Sequence, residues 1–166
     1  MNGTMSDSMR GDMIFDFRSG LFYTSFMKRY MLFDHTADIG MEICGRTKKE
    51  LFINAAWALT DVMIDRREGK DVKGLTQKIT VEGADTADLL VNYLRELLYL
   101  FNGEKGVIQN CEIVAFGRRK LTVELLMEPY HKIKHTIKME LKAVTYHGLS
   151  VVKEKSGWKA RVIFDV

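Results

Sequence analysis

The run Asp34-His35-Thr36-Ala37-Asp38-Ile39-Gly40 sets two carboxylates four positions apart around an imidazole. Carboxylate oxygens are hard donors, so such a pair in a loop between strands can hold a divalent cation; it can equally anchor an Asx-type turn whose backbone Gly40 eases. Another acid, Asp165, interrupts the apolar ending Arg161-Val162-Ile163-Phe164-Asp165-Val166, next to the chain's own terminal carboxylate. Together with Asp38 it would bring up to three carboxylates to one place, enough charge for Ca²⁺ or Mg²⁺. The plainer reading is an exposed acid at a frayed end.

A third group is cationic: His131, Lys132, Lys134, His135, Lys138 and Lys142. From Arg118 to Lys142 there are seven Lys and Arg against three Glu, on a chain whose net charge is +3. Such a stretch can steer an acidic partner or a phosphate, or simply form a solvated face. Lys142 stands apart because Leu141, Ala143 and Val144 surround it, and an ammonium in apolar company calls for a carboxylate partner or a task. No phosphate-cradling glycine loop, no H-E-x-x-H and no G-x-S-x-G elbow is present. Cys44 and Cys111 match no metal or redox spacing and read as reduced thiols of a cytosolic protein, Cys111 as a core residue in mid-strand.

The elements that must position these residues follow from periodicity. Strands are expected at Met31 to Asp34 and Ile39 to Cys44, flanking the acidic loop. Thr47 and Glu50 form a capping box for a helix through Leu51, Ala55, Leu59 and Val62, ending near Ile64. Residues Arg66 to Leu75 read as a loop, and Gln77 to Glu82 as a strand. Asp85 caps a longer helix that Asn102-Gly103 stops. Beyond it come strands at Val107 to Phe116 and Leu121 to Met127, joined by the turn Gly117-Arg118-Arg119. Further strands are expected at Leu141 to Tyr146, Leu149 to Lys153 and Trp158 to Phe164, with Gly148 and Ser156-Gly157 as turns. Two helices on a largely antiparallel sheet make an α+β domain.

A chain of 166 residues, 46% hydrophobic with 1 Pro, is a single globular domain and not a disordered or collagenous one. Its small net charge gives no case for non-specific nucleic-acid binding, and it has neither a spanning apolar run nor a secretory signal. Residues 1–26 hold four of the ten methionines and an aromatic stretch of poor periodicity, and read as an extension, disordered or from an upstream start, ahead of a domain at 27–166.

On Asp34 to Gly40, on the helix with Ala55, Ala56, Leu59 and Asp61-Val62-Met63, on Glu140 to His147, and on Phe164-Asp165-Val166, the chain resembles the archease family over about residues 30 to 166. That resemblance implies a cytoplasmic, non-enzymatic protein cofactor of the RtcB-type RNA ligase. It would promote guanylylation of the ligase's catalytic histidine and multiple turnover in tRNA splicing, meeting GTP and RNA ends only through the ligase, with no role at a membrane or on DNA. It also implies a divalent ion, Ca²⁺ ahead of Mg²⁺ or Mn²⁺, on Asp38, Asp165 and a main-chain or terminal oxygen of Val166. Lys142 would be the functional lysine and His135 an accessory histidine. Competing readings are a chaperone-like modulator of another tRNA-processing enzyme, such as a methyltransferase, and a small metal-dependent hydrolase using Asp38 and His35, which lacks a visible nucleophile-activating set.

Overall fold

The computed structural model describes residues 12–16, 21–25, 28–35, 38–66 and 74–166. Its strands are β1 (Asp12–Asp16), β2 (Leu21–Ser25), β3 (Tyr30–His35), β4 (Asp38–Gly45), β5 (Ile64–Arg66) and β6 (Leu75–Glu82), then β7 (Gly106–Phe116), β8 (Lys120–Pro129), β9 (His135–Ile137), β10 (Ala143–Glu154) and β11 (Gly157–Asp165). The helices are α1 (Lys48–Met63) and α2 (Thr86–Asn102). The α+β class holds. The strands divide between a four-stranded sheet in the order β10-β11-β4-β3 and a three-stranded sheet β6-β8-β7, with two-stranded pairs β1-β2 and β5-β9, all antiparallel among the described residues.

Both helices begin where side chains can satisfy their free N–H groups. Thr47 Oγ1 accepts from the Glu50 N–H at 3.1 Å while the Glu50 carboxylate takes the Arg46 N–H at 3.0 Å. Asp85 Oδ1 accepts from Ala87 and Asp88, and Asp88 returns the bond by accepting from Ala84 at 2.8 Å. Helix α1 touches β4 and β11 of one sheet and β7 of the other; α2 touches β10, β6 and β7. A helix between two sheets is enclosed on most sides, which is why α1 buries Leu51, Phe52, Ala55, Ala56, Ala58, Leu59, Val62 and Met63. Its buried polar residue, Asn54, donates to the Cys44 carbonyl at 2.7 Å and so ties α1 to β4.

Three expectations need revision. Gly148 does not turn the chain between two strands: β10 runs unbroken from Ala143 to Glu154, and Gly148, at φ 61°, sits in a bulge between Thr145 and Ser150. Strands β5 and β9 were not foreseen, because three residues each are too few for a periodicity to register. Gly40 does not ease an Asx-type turn; it lies within β4, where a Cβ would run into the Phe33 ring. The loop expected from Arg66 to Leu75 lies outside the described residues at 67–73, as do Thr36 and Ala37. Of the extension expected at 1–26, the described part is the backbone of the β1-β2 hairpin, Asp12 pairing with Ser25 and Asp16 with Leu21.

Candidate functional site

Strands β4 and β10 start, and β3 and β11 end, at the same end of the four-stranded sheet, because each pairs antiparallel with its neighbour. The register there sets His35 opposite Asp38, and Ala143 opposite Asp165. On the β11-β4 ladder the last pair is Phe164 with Ile39; one step further along that register would bring Asp165 level with Asp38. Residues directly opposite on adjacent strands point to the same face. By that continuation of the register, two carboxylates more than 120 positions apart in sequence fall on one face at one end of the sheet. Asp38 is half-buried and Asp165 exposed.

Lys142 stands immediately before β10 at the same end of the sheet. Its N–H donates to the Asp165 carbonyl at 2.9 Å, and its Nζ donates to the main-chain oxygen of Val166, also at 2.9 Å. The expectation of an ammonium caught in apolar surroundings is corrected here: Leu141 and Val144 are buried, but Lys142 is exposed and finds an oxygen at the sheet end. Its main chain is held from α2 as well, since Asn102 Nδ2 donates to the Leu141 carbonyl at 3.0 Å. One row inward, Phe33 lies across Gly40, and the Arg161 guanidinium sits 4.4 Å from the Phe33 ring centroid.

The donor set this end offers a metal is two carboxylates and a main-chain oxygen, all hard, as Ca²⁺ and Mg²⁺ require. Among the described residues no group of three or more His, Cys, Asp or Glu side chains is gathered closely enough to hold a metal, so water would supply the remaining ligands. The fit rests on the oxygens' chemistry and on the cation already seated there, the Lys142 ammonium on Val166.

His135 belongs elsewhere. It is 1% exposed, its Nδ1 accepts the His131 N–H at 3.0 Å, and its Nε2 lies 3.1 Å from Glu128 Oε1. Accepting at Nδ1 leaves the proton on Nε2, so the imidazole donates to the carboxylate as the neutral tautomer. Lys134 Nζ reaches the other Glu128 oxygen at 2.5 Å, and the Tyr130 ring stacks on His135 at 5.7 Å. Burial pushes the Glu128 carboxyl up, but the donors Lys134, Gln109 and His135 outweigh it and hold it below the usual range. Sequence reasoning missed Glu128. In β8 it alternates with Leu121, Val123, Leu125 and Met127, a pattern that reads as outward, yet it is 1% exposed, enclosed by partners from elsewhere in the chain: Lys134, His135 of β9 and Gln109 of β7.

The cationic stretch is dispersed in the same way. Lys120 pairs with Glu82 at 2.9 Å, Lys134 with Glu128 and Lys138 with Asp61 at 3.8 Å. Cys111 is in the core, where burial raises its thiol pKa and the Tyr93 hydroxyl lies 3.2 Å from its sulfur. A thiol so placed is a poor nucleophile. No described helix is long and apolar enough to cross a membrane.

Comparison with known proteins places the chain in a family. The family model of the archease protein family matches residues 30–166. Protein archease of Methanosarcina barkeri is 38% identical over 144 residues, covering 84% of this chain and 97% of that one. Protein archease of Pyrococcus abyssi is 35% identical and covers 84% of this chain and 100% of its own. Among solved structures, the solution structure of Methanobacterium thermoautotrophicum protein 1598 superposes with a TM-score of 0.66 at 32% identity, covering 84% of this chain and 100% of that one. The crystal structure of an archease from Thermotoga maritima, described as a possible chaperone, shares the fold with a TM-score of 0.53 at 23% identity, over 81% of this chain and 94% of that one. With the match running from the start of β3 to Val166, the chain belongs to the archease family.

Proposed function

We propose that this protein is a cytoplasmic protein cofactor of an RtcB-type RNA ligase, promoting guanylylation of the ligase's catalytic histidine and so its repeated turnover. The observation that carries the reading is the convergence of Asp38, Asp165, Val166 and Lys142 at one exposed sheet end, on a chain of the archease family. Nucleotidyl transfer gains most from positioning and from charge placed against phosphate oxygens. Asp38, Asp165 and the Val166 oxygen would hold a divalent cation, Ca²⁺ by the donor set, which when bound supplies positive charge toward those oxygens. The chain's own part is to fix that charge at the tip of a rigid sheet, with Lys142 beside it as a second, movable cation.

The test measures ligase guanylylation from GTP at substoichiometric amounts of this protein. Wild type is expected to stimulate over many turnovers, and Asp38→Ala, Asp165→Ala and Lys142→Ala each to lose most of that effect. Stimulation by all three variants at the wild-type level removes the site assignment; no stimulation by wild type removes the ligase. Binding to a tRNA methyltransferase that survives all three substitutions would instead favour a chaperone-like role.

A further inference from the structure

Resting on that reading of the sheet end, we infer that Lys142 is a placeholder cation: its ammonium occupies the Val166 oxygen while the metal is absent, and metal binding releases it toward the docked partner. The geometry is direct. Lys142 Nζ donates to a main-chain oxygen of Val166, the residue that on the proposed reading would offer an oxygen to a divalent ion. An oxygen can serve both in succession, but a divalent ion and an ammonium at bonding distance of one oxygen repel each other.

The two ends of Lys142 differ in freedom. The backbone is fixed, through its N–H on the Asp165 carbonyl and through Asn102 on the Leu141 carbonyl. The side chain is exposed, so a flexible four-carbon stem can carry the charge away without disturbing the strand. Its side-chain partner is the Val166 oxygen beyond β11, while Arg95 of α2, two residues along β10, is engaged with the Val144 carbonyl at 3.4 Å and the Tyr146 ring. Released, the ammonium turns outward, to the side from which an anionic nucleotide phosphate would approach. Metal occupancy and lysine availability are then one event, and the site presents its second cation only once the first is bound.

The experiment uses the full chain, Ca²⁺ alone and no ligase. In the metal-free protein, NMR should show NOEs between the Lys142 side chain and Val166, and these should vanish at saturating Ca²⁺. By calorimetry, Lys142→Met should bind Ca²⁺ roughly tenfold tighter than wild type, because no resident cation has to leave, while Lys142→Arg stays near the wild-type affinity. NOEs that persist at saturation, or a Lys142→Met affinity within about twofold of wild type, overturn the exchange. Calorimetry on Asp38→Asn should show Ca²⁺ binding lost; a wild-type chain that takes up no Ca²⁺ removes the metal site and the exchange with it. Intact exchange in a protein that stimulates no ligase leaves the exchange standing and removes only the proposed function.

Discussion

Replacing Glu128 by alanine should cost more stability than any substitution at the sheet end. Its carboxylate is 1% exposed and takes Lys134 Nζ at 2.5 Å on one oxygen and His135 Nε2 at 3.1 Å on the other. Without it, the His135 N–H, whose side chain is 0% exposed, loses its acceptor inside the fold, and an ammonium that is 16% exposed loses its counter-charge. Breaking a buried pair by removing one partner costs about 3–5 kcal/mol. Lys134 can swing toward water, which puts the expected value near the lower end, ~3 kcal/mol, or ~9 °C in Tm for a domain of this size. Glu128→Gln keeps an acceptor for His135 and should cost about half as much.

Urea and thermal unfolding followed by circular dichroism at pH 7 read both numbers. The sign of the pH dependence follows from the same contacts. The folded carboxyl lies below its ordinary value, so its contribution is present above the usual glutamate range and lost as pH falls through the folded value. The acid side of the wild-type stability curve should therefore be steeper than that of Glu128→Gln. A Glu128→Ala protein within about 1 kcal/mol of wild type, or identical acid limbs for wild type and Glu128→Gln, would refute the assignment of this cluster as a buried ionic clamp.

Two further substitutions test the framework around the site. Asp85→Ala removes the acceptor of two N–H groups at the start of α2 and should cost ~1 kcal/mol by urea denaturation; an unchanged midpoint would mean that water caps the helix as well. Thr145→Val exchanges a buried Oγ1 with no hydrogen-bond partner among the described residues for a methyl group, and should leave Tm unchanged or raise it by the equivalent of up to ~1 kcal/mol. A clear fall in Tm would show that the hydroxyl has a partner in solution.

The helices were legible because their ends carry local chemistry: Thr47 with Glu50, and Asp85, each sit where capping demands them, and the observed bounds match to within a residue or two. Strand-level reading failed where tertiary structure overrides local pattern. Gly148 has the composition of a turn, and only pairing on both sides of it with β11 makes it a bulge. Glu128 alternates outward like Thr122 and Glu124, and only partners outside the strand, Lys134, His135 and Gln109, explain its burial. At the site the residue types were readable from single positions, while the proximity of Asp38 to Asp165 is a property of sheet order, β11 lying beside β4, which no local window contains. Lys142 was singled out for its apolar neighbours, yet what distinguishes it is its reach to Val166.

The bulge in β10 gives the sheet an expansion joint. Between the pairs Thr145↔Ile163 and Ser150↔Arg161, β10 runs through 146–149 while β11 passes only Val162. On one side, Ala143, Val144 and Thr145 are indexed to β11 by their own pairs; on the other, Ser150 to Glu154 are indexed separately through the distal hairpin. In an unbulged ladder, one inserted residue would turn every following side chain to the opposite face. Here added or lost length falls within the bulge 146–149, outside the pairs that index Ala143 to Thr145, and the phase of Lys142 against Asp165 is unchanged. Family members should therefore differ in length at this excursion while keeping the spacing from the lysine to the strand start.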